Sequence, residues 1–194
     1  MPAARSVVTM LGLALTLCGC GRRGVDWSAP ETLLLREESA KKEGGAELQY
    51  WSLIDVPCKG IFDALADVEH YGEFIPGVES TQLLGVTENK KTVLIAQRVI
   101  GRQNNAKVEW TLTPAKPYIE FRTLNSDFSF NDGHYDFESS PDGKRCLLHS
   151  VFLVKQKEGT GEPVPVGTLT QATHDGFVAA AQGVKKRGAA SAAK

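Results

Sequence analysis

Between residues 79 and 157, apolar and polar side chains alternate with a period of two, and no stretch there repeats at the helical period. Turn signals punctuate the run at 88–90, 101–105, 115–117 and 140–143, leaving strands over 81–87, 92–100, 106–114, 118–125, 128–138 and 146–157. Parallel neighbours need crossovers of a dozen or more residues, and these connections are too short to supply them. The run therefore predicts an antiparallel meander. Its clearest half-buried strand turns Val108, Trp110 and Leu112 one way and Lys107, Glu109 and Thr111 the other. Asn131, Asp132 and Gly133 interrupt the 128–138 strand and predict a turn or bulge there.

What flanks the run sets the architecture. Residues 47–56 supply an earlier strand with the mixed alternation expected where both faces are covered. In the segment 61–78, Ile61, Ala64, Leu65 and Val68 form a helical stripe, with Asp63, Asp67 and Glu69 off it. A second short helical turn carries Phe74 and Ile75 and ends at Pro76 and Gly77. Residues 166–184 return to helical spacing, with a small inner face of Ala172, Thr173, Gly176, Ala180 and Gly183. The expected fold class is α+β: a seven-stranded curved antiparallel sheet wrapped around a long C-terminal helix, with two short helices after the first strand. So small a helix face leaves space against the sheet, which Trp110, Phe121, Phe130, Tyr135 and Phe137 would line as an apolar cavity. Close packing of helix on sheet, with no ligand, is the competing reading, because small residues also suit close backbone approach.

The order of these elements, with Ala64-Leu65-Ala66-Asp67-Val68-Glu69-His70-Tyr71 followed by Phe74, Pro76 and Val78, resembles the START-like (SRPBCC) superfamily. The coenzyme Q-binding and polyketide cyclase/dehydrase branch is the most similar: Gly133, Tyr135 and Phe137 match its glycine and alternating aromatics ahead of the Asp142-Gly143 turn. Gly72 and Gly77 depart from the proline and aromatic frequent in that branch, so the rim of the helical segment differs. The resemblance covers residues 47–187 and implies a helix-grip fold around a hydrophobic cavity that carries lipids, isoprenoid quinones or polyketides. The ligand contacts expected in such a cavity are Phe62, Tyr71, Phe74 and Ile75 from the helical segment, with 71–77 as its gate. Trp110, Phe121 and Phe130 from the sheet, and Leu169, Thr173 and Phe177 from the last helix, complete the set. The same fold sets the 47–56 and 146–157 strands side by side, so the resemblance also implies a Cys58–Cys146 disulfide.

The net charge of −1 offers no footprint for nucleic acid. The basic group Lys185, Lys186 and Arg187 complements a helix C-terminus or, alternatively, meets anionic lipid. At the other end, Arg5 precedes an apolar stretch over 7–17 that is too short to span a bilayer and suits a signal-peptide core. It runs into Leu17-Cys18-Gly19-Cys20, which resembles the lipobox of bacterial lipoproteins. That resemblance implies cleavage before Cys20, lipidation of Cys20 and attachment to a membrane through it. Gly21, where an aspartate would signal inner-membrane retention, points to the outer membrane facing the periplasm. An uncleaved N-terminal helix and an ordinary secretory signal are the alternatives. The expected organisation is a signal peptide at 1–19, a lipidated N-terminus and charged tether at 20–46, the domain at 47–187 and a flexible tail at 188–194.

No nucleophile elbow, phosphate-cradling loop, metal-ligand spacing or cofactor motif is apparent. His70 with Glu69 and Glu73 is the nearest approach to an acid/base group. His134 and Asp136 alternate away from Tyr135 and Phe137, and His149 and His174 also read as surface residues. The leading expectation is a membrane-tethered, non-catalytic protein that binds or transfers a lipid or isoprenoid quinone. A polyketide cyclase/hydrolase-like enzyme and a ligand-free envelope interaction module are the alternatives.

Overall fold

The structure is a computed structural model that describes residues 25–192. Two strands come first, β1 (Thr32–Lys42) and β2 (Gly45–Ile54). The helical segment follows as α1 (Cys58–Ala66), a 3-10 turn (Val68–His70) and α2 (Tyr71–Phe74). The period-two run then folds as β3 (Val78–Thr87), β4 (Lys90–Val99), β5 (Arg102–Thr113), β6 (Tyr118–Ser126), β7 (Ser129–Ser139) and β8 (Cys146–Gln156). One long helix, α3 (Val166–Ala192), ends the fold. The strands form a single sheet in the order β1-β2-β8-β7-β6-β5-β4-β3. Every neighbouring pair is antiparallel. This is the expected α+β helix-grip arrangement with eight strands instead of seven.

The additional strand is β1, drawn from residues that read as tether. Its dense charge suits an edge strand whose outer residues stay in water, a composition that also discourages edge-to-edge association. Several contacts hold it and the residues before it to the domain. Ser52 Oγ donates to the Leu33 carbonyl at 2.6 Å, and the Asp55 amide donates to Glu31 Oε1 at 2.9 Å. Arg145 Nη1 donates to the carbonyls of Trp27 and Ala29, and Lys185 pairs with Glu31. The far end departs from expectation too: α3 continues through Ala192 instead of fraying from 188. There α1 and α3 touch backbone to backbone. A Cβ on Gly60 would lie 2.5 Å from the Gly188 carbonyl oxygen, so only glycine permits the approach. Ser191 Oγ adds a bond to Asp63 at 3.2 Å.

The stripe on α1 is fully used: Ile61, Ala64, Leu65 and Val68 are all buried. Lys91 Nζ donates to the Ala66 carbonyl at 2.9 Å and pairs with Glu69, satisfying an acceptor that the end of α1 leaves open. Residues 131–133 make no turn, because β7 pairs with β8 without interruption from Ser129 to Ser139. The irregularity shows only toward β6, where pairing stops at Gly133 and Asp132 Oδ1 accepts the Thr123 amide at 2.7 Å. The β2–β8 register brings Ile54 opposite Cys146, and Cys58 follows within one turn. Cys58 and Cys146 form a disulfide, with their Cα atoms 4.7 Å apart. Cys20 and the signal segment lie outside the described residues.

Candidate functional site

α3 crosses the concave face of the sheet, anchored by Leu169, Phe177, Ala181 and Val184, which are buried. Between these anchors the small residues Ala172, Thr173, Gly176 and Ala180 leave space, and a cavity of about 310 Å³ separates helix from sheet. That volume lies near the lower end of the range for ligand sites, about 300–1,000 Å³. The sheet side carries an aromatic belt that runs across four neighbouring strands. Trp110 on β5 and Phe121 on β6 have centroids 5.0 Å apart, Phe121 and Tyr135 on β7 are 5.2 Å apart, and Tyr135 and Phe152 on β8 are 5.9 Å apart. Inward alternation on antiparallel strands produces such a belt directly. Gly133 makes room for it: a Cβ there would lie 2.7 Å from the Phe121 ring and 1.9 Å from the Val151 carbonyl oxygen.

Of the residues expected from the sequence, Tyr71, Ile75, Trp110, Phe121, Phe130, Leu169, Thr173 and Phe177 line the cavity. Phe62, Phe74 and Phe137 do not. Phe62 meets Phe137 edge-on, centroids 5.6 Å apart, in the core between α1 and the sheet. Phe74 packs on Tyr71 at 5.4 Å with the Arg187 guanidinium 5.6 Å from its ring. Its carbonyl abuts α3 at Gly183, where a Cβ would lie only 1.9 Å away. The mouth is marked by the lining residues that also reach solvent: Pro76, Gly77, Arg98, Ile100 and Gly176. It lies between the α2–β3 turn, the β4–β5 hairpin and α3. Tyr71 belongs to the wall, because it is buried and its hydroxyl donates to the Leu65 carbonyl at 2.6 Å. The rim of the α2–β3 turn is therefore Ile75–Val78, with Gly77 in the left-handed region (φ 84°) that disfavours a side chain.

The polar groups in the wall were not legible from the sequence. Asn104 is buried, its Oδ1 accepts the Phe128 amide at 2.9 Å, and its Nδ2 has no protein partner. Trp110 Nε1, Ser150 Oγ and Asn131 Oδ1 are likewise buried without a protein partner, and all four residues line the cavity. Such groups are costly to leave unsatisfied, so they favour a ligand or water with complementary polar atoms. Burial also pushes the hydroxyls of Tyr71 and Tyr135 up, which keeps both neutral. Arg98 is the single charged residue among the described lining residues, and it pairs with Glu79 at 2.8 Å. The interior thus offers apolar walls and uncharged hydrogen-bonding groups, suited to a neutral, largely apolar molecule.

His70 faces away from this cavity. It is exposed, its Nδ1 lies 2.5 Å from Asp67 Oδ1, and that bond, with the Asp67 charge, raises its pKa above 6.5. Asp67 also accepts from Arg187 Nε at 3.0 Å, so the cluster ties the end of α1 to α3. His174 pairs with Glu37 at 3.1 Å, while His134 and His149 flank Asp136 on the convex face of the sheet. No helix among the described residues is long and apolar enough to cross a membrane.

The model of the family described as polyketide cyclase/dehydrase and lipid transport matches residues 54–174. No curated protein matches the sequence. Among solved structures, the chain resembles the Zhui aromatase/cyclase from Streptomyces sp. R1128 at 19% identity, covering 73% of this chain and 92% of that one, with a TM-score of 0.66. It also resembles a START superfamily protein from Mycobacterium smegmatis: 14% identity, 73% and 95% coverage, TM-score 0.62. A third is a STAR-related lipid transfer protein from Xanthomonas axonopodis, at 10% identity, 78% and 92% coverage and TM-score 0.56. At these identities the structural likeness concerns the fold alone.

Proposed function

Because the chain belongs to the polyketide cyclase/dehydrase and lipid transport family, we propose that it binds or transfers a neutral hydrophobic molecule, a lipid or isoprenoid quinone, without chemically changing it. The observation that carries this reading is the cavity of about 310 Å³, with its aromatic belt, neutral polar groups and small-faced helix. It acts, on this reading, as an outer-membrane lipoprotein held through lipidated Cys20 and facing the periplasm. The Cys58–Cys146 disulfide supports an oxidising compartment. The ligand-free interaction module required α3 to close on the sheet, and the open space beneath α3 weighs against it.

Organic extraction of the full chain purified from membranes, followed by mass spectrometry, tests the binding. Near-stoichiometric recovery of one neutral lipid class is expected. A chain that yields no lipid and takes up none from vesicles refutes the reading. Membrane fractionation of Cys20→Ser tests the anchor, and a variant that still sediments with the outer membrane refutes it.

A cyclase-type enzyme remains the second reading, favoured by the buried Asn104, Asn131 and Ser150 groups in the wall. It is distinguished by whether a bound polyketide returns unchanged from the protein.

A further inference from the structure

The convex face of the sheet, away from the cavity, brings together three side chains that the lipid-binding reading does not use. His134 and Asp136 lie two apart on β7 and so share a face, and His149 on β8 is the register partner of Asp136. Asp136 Oδ2 lies 3.3 Å from His134 Nε2 and 3.5 Å from His149 Nδ1, and one ligand atom from each residue falls within 4.8 Å of the others. We propose that His134 Nε2, Asp136 Oδ2 and His149 Nδ1 form a divalent transition-metal site that takes Zn²⁺.

The distances favour a metal over a hydrogen-bonded cluster. Two ligands at Zn²⁺ bond lengths and a tetrahedral angle sit about 3.3–3.4 Å apart, close to both separations here. A charge-assisted hydrogen bond between imidazole and carboxylate is shorter, about 2.7–2.9 Å. The same protein shows how tight such a bond becomes: His70 Nδ1 lies 2.5 Å from Asp67 Oδ1.

The surrounding bonds orient the ligands independently. Gln49 Nε2 donates to Glu47 Oε1 at 2.9 Å, which turns the amide oxygen of Gln49 toward His149. His149 Nε2 then donates to Gln49 Oε1 at 3.2 Å and carries the ring proton. In the neutral ring that tautomer turns the Nδ1 lone pair toward the Asp136 carboxylate, so that one divalent cation can be held by both. An outer-shell partner on the second ring nitrogen is the usual arrangement for a metal-bound histidine. Stacking fixes both planes: His149 lies on Trp51 with centroids 4.4 Å apart, and His134 lies on Tyr118 at 5.5 Å. The half-exposed Asp136 side chain leaves the remaining coordination position to solvent. Imidazole and carboxylate ligands with an open position suit Zn²⁺ and its first-row neighbours better than Mg²⁺ or Ca²⁺.

The test is calorimetric titration of ZnCl2 into the metal-stripped full chain carrying Cys18→Ser and Cys20→Ser, so that N-terminal thiols do not compete. One Zn²⁺ per chain is expected. Gln49→Ala weakens binding about tenfold or more by freeing the ring. Asp136→Asn and His149→Ala weaken it further, and His70→Ala leaves it unchanged. Circular dichroism of each variant, with the visible bands of Co²⁺ in the same site, separates a lost ligand from a lost fold. Absence of zinc binding, binding by folded Asp136→Asn equal to the parent, or a site abolished by His70→Ala would each overturn the proposal.

Discussion

Gly176 and Gly183 lie about two turns apart on α3, yet alanine at the two positions shifts stability in opposite directions. Both substitutions gain helix propensity, up to about 1 kcal/mol. At Gly176 an added Cβ meets nothing within 4 Å, so Gly176→Ala stabilises the protein by about 0.5–1 kcal/mol. At Gly183 the Cβ would sit 1.9 Å from the carbonyl oxygen of Phe74. That oxygen is backbone and cannot rotate aside, so α2 and α3 must separate by about 1 Å or more, an overpacking that costs about 1–3 kcal/mol. The clash outweighs the propensity gain, and Gly183→Ala is destabilised by about 0.5–2 kcal/mol. Urea unfolding followed by tryptophan fluorescence reads both. The same geometry separates stability from function. Gly176→Leu projects into the mouth of a cavity of about 310 Å³ and blocks uptake from vesicles while the protein stays as stable as its parent. A Gly183→Ala variant as stable as wild type refutes the helix contact, and a Gly176→Leu variant that loads lipid normally refutes the cavity as the site.

The Cys58–Cys146 disulfide spans a sequence separation of 88 residues, and replacing both cysteines by serine lowers unfolding free energy by about 2–4 kcal/mol. A Tm indifferent to reduction and to the double substitution would contradict this. The Asp67 cluster predicts a pH dependence with two limits. Burial pushes the Asp67 pKa up, but hydrogen bonds from His70 and Arg187 outweigh it and hold the pKa below 3.8. A lowered folded pKa contributes stability above pH 3.8 that is lost as pH falls through the folded value. His70 is raised above 6.5 by its bond to Asp67, so its contribution is present below pH 6.5 and lost as pH rises through the folded value. The stability gap between wild type and Asp67→Asn is therefore widest between about pH 4 and 6.5. A gap that is flat from pH 3 to 9 would rule out the coupling.

The strands were legible because alternation is a local pattern, and β3 through β8 fall within a few residues of where period two places them. β1 was not, because both faces of its charged half are exposed and its composition matches a tether's. What makes it a strand is the pairing with β2 and the bond from Ser52, residues distant in sequence. The cavity was legible in its apolar walls, since Trp110, Phe121 and Phe177 announce themselves by type and spacing. Phe62 and Phe74 have the same character and still miss it, because the contacts with Phe137, Gly183 and Arg187 consume their faces. The convex His134–Asp136–His149 group escaped notice for a related reason: its members join two strands through register, and no sequence spacing encodes that.

Sequence alone determined the class of fold here: the period-two run compels an antiparallel sheet, while the small face of the last helix suited both an open cavity and close packing, and the structure decided for the cavity. Sequence also supplied Cys58 and Cys146 and three rings of the aromatic belt, Trp110, Phe121 and Tyr135, though not Phe152, because periodicity and residue type are properties of neighbouring positions. Only the tertiary structure decided which aromatics face the cavity, that the charged N-terminal segment closes the sheet as its eighth strand, and that Asn104, Trp110 and Ser150 carry polar atoms without protein partners into an apolar wall. Each of these depends on contacts between residues far apart in the chain, whose geometry is set by register and close packing and is absent from any local window of the sequence.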